Sequence, residues 1–154
     1  AWQGEGPPVQ VEGLTLTDRT FEVPLDHSGA IPGTIKVFAR EVVATSKYPP
    51  DETLPCLVFF QGGPGFESPR PTESSGWIQT ACERFRVLLL DQRGTGQSTA
   101  ITAAGMSKMG DAEVQARYLS FFRADSIVRD AELIRQALLP KGVKWTTLGQ
   151  SYGG

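Results

Sequence analysis

Two almost uninterrupted apolar runs stand out along the chain, residues 54–60 (LPCLVFF) and residues 85–90 (FRVLLL, broken only by Arg86). Runs of this length, apolar at consecutive positions, suit strands buried on both faces of a parallel sheet. Upstream the pattern changes. Residues 20–25 and 34–44 (TIKVFAREVVA) are rich in β-branched side chains with partial period-two alternation, and predict strands. The turn composition HSGAIPG at 27–33 between them predicts an antiparallel, hairpin-like pair. Residues 1–12, rich in Gly and Pro, predict an extended arm, and YPPD at 48–51 breaks the chain. Helical spacing enters later. Residues 75–83 suit a short helix, and a polar Gly-containing loop follows Leu90. Residues 111–122 place Val114, Tyr118, Leu119 and Phe122 on one side, with Asp111 as N-cap. In residues 126–139, Ile127, Ala131, Ile134 and Leu138 recur at intervals of four, three and four, before Pro140 and Gly142 end the helix. Residues 143–148 form a last strand. Three parallel strands joined by crossover helices, after an antiparallel pair, predict an α/β protein.

Composition narrows the classes of function. Fifteen Lys and Arg against 17 Asp and Glu leave no basic excess, so nucleic acid is not an expected partner. No apolar run approaches the ~18 residues of a membrane helix, so a membrane-spanning role is not expected. Two Cys cannot build a disulfide scaffold, and Cys56, inside an apolar run, reads as a small core residue. Neither a basic start nor an apolar signal core precedes residue 12. The expected location is cytoplasmic, with secretion the alternative if such a segment once preceded Ala1.

Three motifs carry chemistry. Gly149-Gln150-Ser151-Tyr152-Gly153 follows a predicted strand as G-x-S-x-G, the pattern that seats a nucleophilic Ser on a strained strand-to-helix turn. Its glycines lack Cβ, which lets strand and helix approach. Gln61-Gly62-Gly63-Pro64-Gly65 follows the first apolar run; its Gly-Gly step exposes backbone N–H groups of the kind that stabilise a developing oxyanion. Asp91-Gln92-Arg93-Gly94-Thr95-Gly96-Gln97-Ser98 follows the second run. Its Gly-x-Gly lacks the third glycine of a dinucleotide fingerprint and opens no helix, so a structural loop stabilised by an Asp–Arg pair is the better reading.

QGGPG, DQRGTGQS and GQSYGG, in this order and spacing, resemble the prolyl aminopeptidase (proline iminopeptidase) family of α/β-hydrolase serine peptidases, which carries HGGPG, DQRGxGxS and GxSxGG. The likeness covers residues 34–154, and residues 126–139 resemble the helix before that family's elbow strand. Val23-Pro24-Leu25-Asp26-His27 resembles the start of the larger members, which include tripeptidyl aminopeptidase-like enzymes. Gln61 stands where the smaller enzymes carry His. The resemblance implies an α/β-hydrolase fold, with these residues as the N-terminal part of its mostly parallel sheet up to the nucleophile elbow. It implies Ser151 as nucleophile, with backbone N–H groups of Gly63 and Tyr152 as oxyanion donors and Gly62 as the alternative to Gly63.

A Ser nucleophile needs a base and an orienting carboxylate. The only His, His27, precedes Ser151 in a predicted turn, where a surface or hairpin-capping role is expected. The resemblance puts the catalytic Asp and His, and the lid, beyond residue 154, so residues 1–154 are expected to be the N-terminal part of one domain, inactive and poorly soluble alone. The expected activity of the whole is release of N-terminal residues, proline first, from peptides with a free N-terminus, through an acyl-enzyme and without metal or organic cofactor. An esterase or tripeptidyl aminopeptidase-like hydrolase on the same scaffold, and a non-catalytic binding domain, are the alternatives.

Overall fold

Leu14–Pro24 (β3) and Thr34–Ala44 (β4) form a long antiparallel hairpin, in register from Leu14 opposite Ala44 to Pro24 opposite Thr34. The structure, a computed structural model, describes residues 3–62 and 65–154. The other strands are β1 (Gln3–Glu5), β2 (Val9–Val11), β5 (Cys56–Phe60), β6 (Arg86–Asp91) and β7 (Thr146–Gly149). They join one sheet in the order β1-β3-β4-β6-β5-β7, with β2 also paired to β3. β5, β6 and β7 run parallel, as predicted, and β4 meets β6 antiparallel. The helices are α1 (Gly76–Cys82), α2 (Ala103–Ser107), α3 (Ala112–Leu119) and α4 (Ala124–Leu138).

The continuous apolar runs have a direct packing cause. Val58 and Leu88 on one face, with Phe21, Val37, Ala131 and Ile134, build a core beneath α4. Leu57, Phe59, Val87 and Leu89 on the other face, with Leu14, Ile78 and Cys82, build a second core beneath α1. Both faces of β5 and β6 are therefore dry, and each large apolar side chain so buried contributes ~1.5–3 kcal/mol. Cys56 is a core residue, as expected.

Four expectations are corrected. The N-terminal arm is not a free extension: Gln3–Glu5 and Val9–Val11 both pair antiparallel along β3 and cover its otherwise open edge. β3 begins at Leu14 rather than residue 20. Its alternate residues Thr15 and Thr17 are buried, so a strand with two dry faces does not look apolar in sequence. The Gly-containing loop after β6 holds a short helix, α2, whose Thr102 Oγ1 accepts the Gly105 N–H at 3.0 Å. Asp111 caps α3 as expected, accepting the Val114 N–H at 3.0 Å. The last strand is shorter than predicted, Thr146–Gly149, and lies at the sheet edge with all four residues exposed.

Candidate active site

The parallel pairing sets Phe60 opposite both Leu90 of β6 and Gly149 of β7. The three motifs therefore leave the same end of the sheet, the carboxyl end of adjacent parallel strands, where open α/β sheets place their ligands. Beyond Gly149 the chain turns at once. Gln150 remains extended, and Ser151–Gly153 form a single 3₁₀ turn. The Gly153 N–H donates to Gln150 O, and the Gly154 N–H to Ser151 O, both at 3.0 Å. Ser151 has φ of 55°, the one non-glycine residue with positive φ among the described residues. A non-glycine residue held there is strained.

The glycines around Ser151 are required by close approach. A Cβ on Gly149 would run into the Gly153 carbonyl, and one on Gly153 into the Phe60 carbonyl. A Cβ on Gly62 would lie 2.7 Å from Gln150 O and 3.2 Å from the Ser151 Cβ. The QGG segment and the elbow are thus in contact through backbone. Gly63 lies outside the described residues. The Gly62 N–H donates to the Oε1 of Gln61 at 3.1 Å, and Gln61 Nε2 donates to Glu67 O at 3.1 Å. Tyr152 sits on the 3₁₀ turn with its side chain partly in solvent. It borders two open recesses, of about 340 and 320 Å³, that share Gln92 and Ile127.

The DQRG loop is structural, as expected, but its ion pairs are not internal. Asp91 is fully buried and takes the Arg70 guanidinium on both oxygens, at 3.1 and 2.5 Å, with the Ser68 and Gln97 N–H groups each at 2.9 Å. Gly96 packs against this carboxylate so closely that any Cβ would collide with it. Gln92 Nε2 donates to Gln61 O at 3.1 Å. Arg93 is buried and forks onto Asp130 of α4 through Nε and Nη2, both at 2.6 Å. It also donates to the carbonyls of Pro24, Leu25 and Phe121 at 3.0, 2.8 and 2.7 Å. Three consecutive side chains therefore pin three different segments. The expected Asp–Arg pair within the loop does not form, because each charge is taken by a partner from another segment, Asp91 by Arg70 and Arg93 by Asp130.

His27 is also corrected. It is neither at the surface nor a simple hairpin cap: its side chain is buried, with Nε2 2.8 Å from Asp130 Oδ1 and 3.1 Å from Arg93 Nη2. Engaged there, it is not paired with Ser151, and no histidine is so paired among the described residues. Reading the motifs alone missed Asp130, Gln92 and Arg70. The available signal was Asp130 itself, a carboxylate on the same helical face as Ile127, Ala131 and Ile134. Gln92 and Arg70 leave no signal in local pattern. Among the described residues no cluster of His, Cys, Asp and Glu has a metal-holding arrangement, and no helix is long and apolar enough to cross a membrane.

Residues 55–154 match the family described as alpha/beta hydrolase fold. The chain is 50% identical over 145 residues to a proline iminopeptidase of Aeromonas sobria, covering 94% of this chain and 33% of that protein. It is 42% identical over 139 residues to a proline iminopeptidase of Aspergillus aculeatus, covering 87% of this chain and 31% of that one. It thus spans about a third of the length of these curated relatives. The crystal structure of esterase E22 shares the fold, at a TM-score of 0.51 and 13% identity over 90% of this chain and 41% of that one.

Proposed function

From the premise that this chain belongs to the alpha/beta hydrolase fold family, we propose that the whole protein is a serine aminopeptidase that releases N-terminal residues, proline first, from peptides with a free N-terminus. The observation that carries the catalytic part is Ser151 at φ 55°, seated against Gly62 at the carboxyl ends of three parallel strands. The choice of proline is supported by the two relatives named as proline iminopeptidases.

In this scheme Ser151 Oγ attacks the scissile carbonyl and gives its proton to a histidine base supplied by the rest of the protein. The carbonyl oxygen takes the negative charge and is held by the N–H groups of Gly63 and Tyr152. Collapse breaks the C–N bond, and the base passes its proton to the departing amine. Water then attacks the acyl-enzyme by the same route and frees the acid. The chemistry uses no metal and no organic cofactor.

The test is a substrate panel on the full-length protein: a prolyl arylamide, an unblocked tripeptide arylamide and a short acyl ester. Turnover of the prolyl arylamide, abolished by Ser151→Ala, is expected. Removal of a triad nucleophile lowers kcat by ~10⁶ in a worked case. Turnover of the ester alone would overturn the aminopeptidase assignment, and Ser151→Ala within tenfold of wild type would overturn the nucleophile.

A further inference from the structure

We propose that Gln61 and Gln92 are positioning residues that lock the peptide unit between Gln61 and Gly62 and so hold Gly62 in place against Ser151. This rests on the reading of Ser151 as nucleophile with an oxyanion donor in the QGG segment.

The two ends of this one peptide are tied separately. Its oxygen, Gln61 O, accepts from Gln92 Nε2 at 3.1 Å. Its nitrogen, Gly62 N, donates to Gln61 Oε1 at 3.1 Å. A peptide unit is a rigid plane, so holding both ends removes its freedom to flip about the flanking Gln61 and Gly62 torsions. Glycine otherwise makes such a flip easy, because it tolerates both signs of φ. The Gln61 amide is itself oriented, since its Nε2 donates to Glu67 O at 3.1 Å. That bond sets which end of the amide faces Gly62: the oxygen accepts there and the nitrogen closes the loop at Glu67. Gln92 is oriented by its place in the sheet. It follows Asp91 at the end of β6, is 4% exposed, and reaches across to the end of β5.

The consequence reaches the nucleophile through a contact. Gly62 backs onto Ser151, where an added Cβ would come within 3.2 Å of the Ser151 Cβ. A flipped peptide would shift this contact. Displacement of a reacting group by ~1 Å costs about 10²-fold in rate, and loss of one oxyanion donor ~10²–10³-fold.

The experiment compares full-length wild type with Gln92→Met and Gln61→Met, which keep side-chain length and remove the amide. With a prolyl arylamide, kcat is expected to fall by ~10–100-fold with KM within about threefold, since the loss belongs to the transition state. A boronic acid analogue of proline, which forms a tetrahedral anion on the Ser, should weaken by the same factor, while inhibition by free proline stays unchanged. A role in folding alone would lower the fraction of titratable Ser without changing kcat per titrated site. The proposal is overturned if either folded variant keeps kcat within threefold of wild type per titrated site. If Gln92→Met does not fold, Gln61→Met, whose side chain is only half-buried, decides. Failure of both to fold would assign the amides to the fold and also overturn the proposal. Ser151→Ala separates the two readings: if that variant stays active, the nucleophile is wrong, whereas an inactive Ser151→Ala beside active glutamine variants sinks the clamp alone.

Discussion

Ser151 holds a backbone conformation that a β-carbon disfavours, and the residues around it absorb the strain by giving up their own side chains. Gly62, Gly149 and Gly153 each face a carbonyl that a Cβ would strike. At Gly62 the obstruction is the backbone of Gln150, with the Ser151 Cβ beside it, so neither can yield without moving Ser151. Gly62→Ala is therefore expected to leave the full-length protein folded and to lower kcat by ~10²-fold, with slower labelling of Ser151 by a fluorophosphonate as the direct readout. Labelling at the wild-type rate would show that the loop accommodates the methyl elsewhere. The two thiols make a contrasting case. Burial pushes Cys56 and Cys82 up from an ordinary 9.0 to about 11. Both should resist a neutral disulfide reagent at pH 8 until the protein is unfolded. The folded state holds these protons more tightly than the unfolded chain does. Their contribution to stability is thus complete below pH 9 and is lost as pH rises from 9 to 11. A denaturant midpoint that holds steady through that window would contradict their burial.

The helix and the loops around it are joined by one guanidinium. Arg93 leaves the loop after β6, forks onto Asp130 of α4, and donates to carbonyls of Pro24 and Leu25 at the hairpin end and of Phe121 before α4. His27 completes the cluster against the same carboxylate. Breaking a buried ion pair by removing one partner costs ~3–5 kcal/mol, because the other charge remains in a dry site. Arg93→Met is expected to destabilise by about that much in urea titration, whereas pairing it with Asp130→Leu should recover part of the loss by removing the stranded carboxylate. Equal destabilisation by the single and double variants would mean that the carbonyl contacts, not the ion pair, hold α4. The apolar face of α4, through Ile127, Ala131 and Ile134, was legible from spacing. The partners of Asp130 were not, because a helical period reports which side chains share a face and not what lies opposite.

The assembled sheet has two unlike borders. On one side β1 and β2 cover β3. On the other, β7 pairs with β5 alone among the described residues, and Thr146, Thr147, Leu148 and Gly149 are all exposed. An exposed edge strand presents unpaired backbone groups to a second copy. Residues 1–154 expressed alone are therefore expected to self-associate, and Leu148→Lys should shift light-scattering mass toward monomer. A monomeric wild-type chain at high concentration would show that β7 is shielded by its own flanks.

Consecutive apolar residues at 54–60 and 85–90 require strands with two dry faces, and G-x-S-x-G after a strand requires a sharp turn. The parallel sheet, its crossover helices and the candidate nucleophile therefore follow from local pattern. So does the order of the three motifs. Long-range pairing decided the rest. Thr15 and Thr17 became core because β4 and the layers around it removed them from water. Residues 3–11 became strands because β3 offered an open edge. The partners of Asp91, Gln92 and Arg93 lie 21, 31 and 37 residues away, at Arg70, Gln61 and Asp130. A polar side chain carries its hydrogen-bonding capacity in its identity, but burial and neighbours make that capacity specific. Only the packed sheet brings three distant segments to the ends of adjacent strands, where an unsatisfied group would cost more than the order needed to pair it.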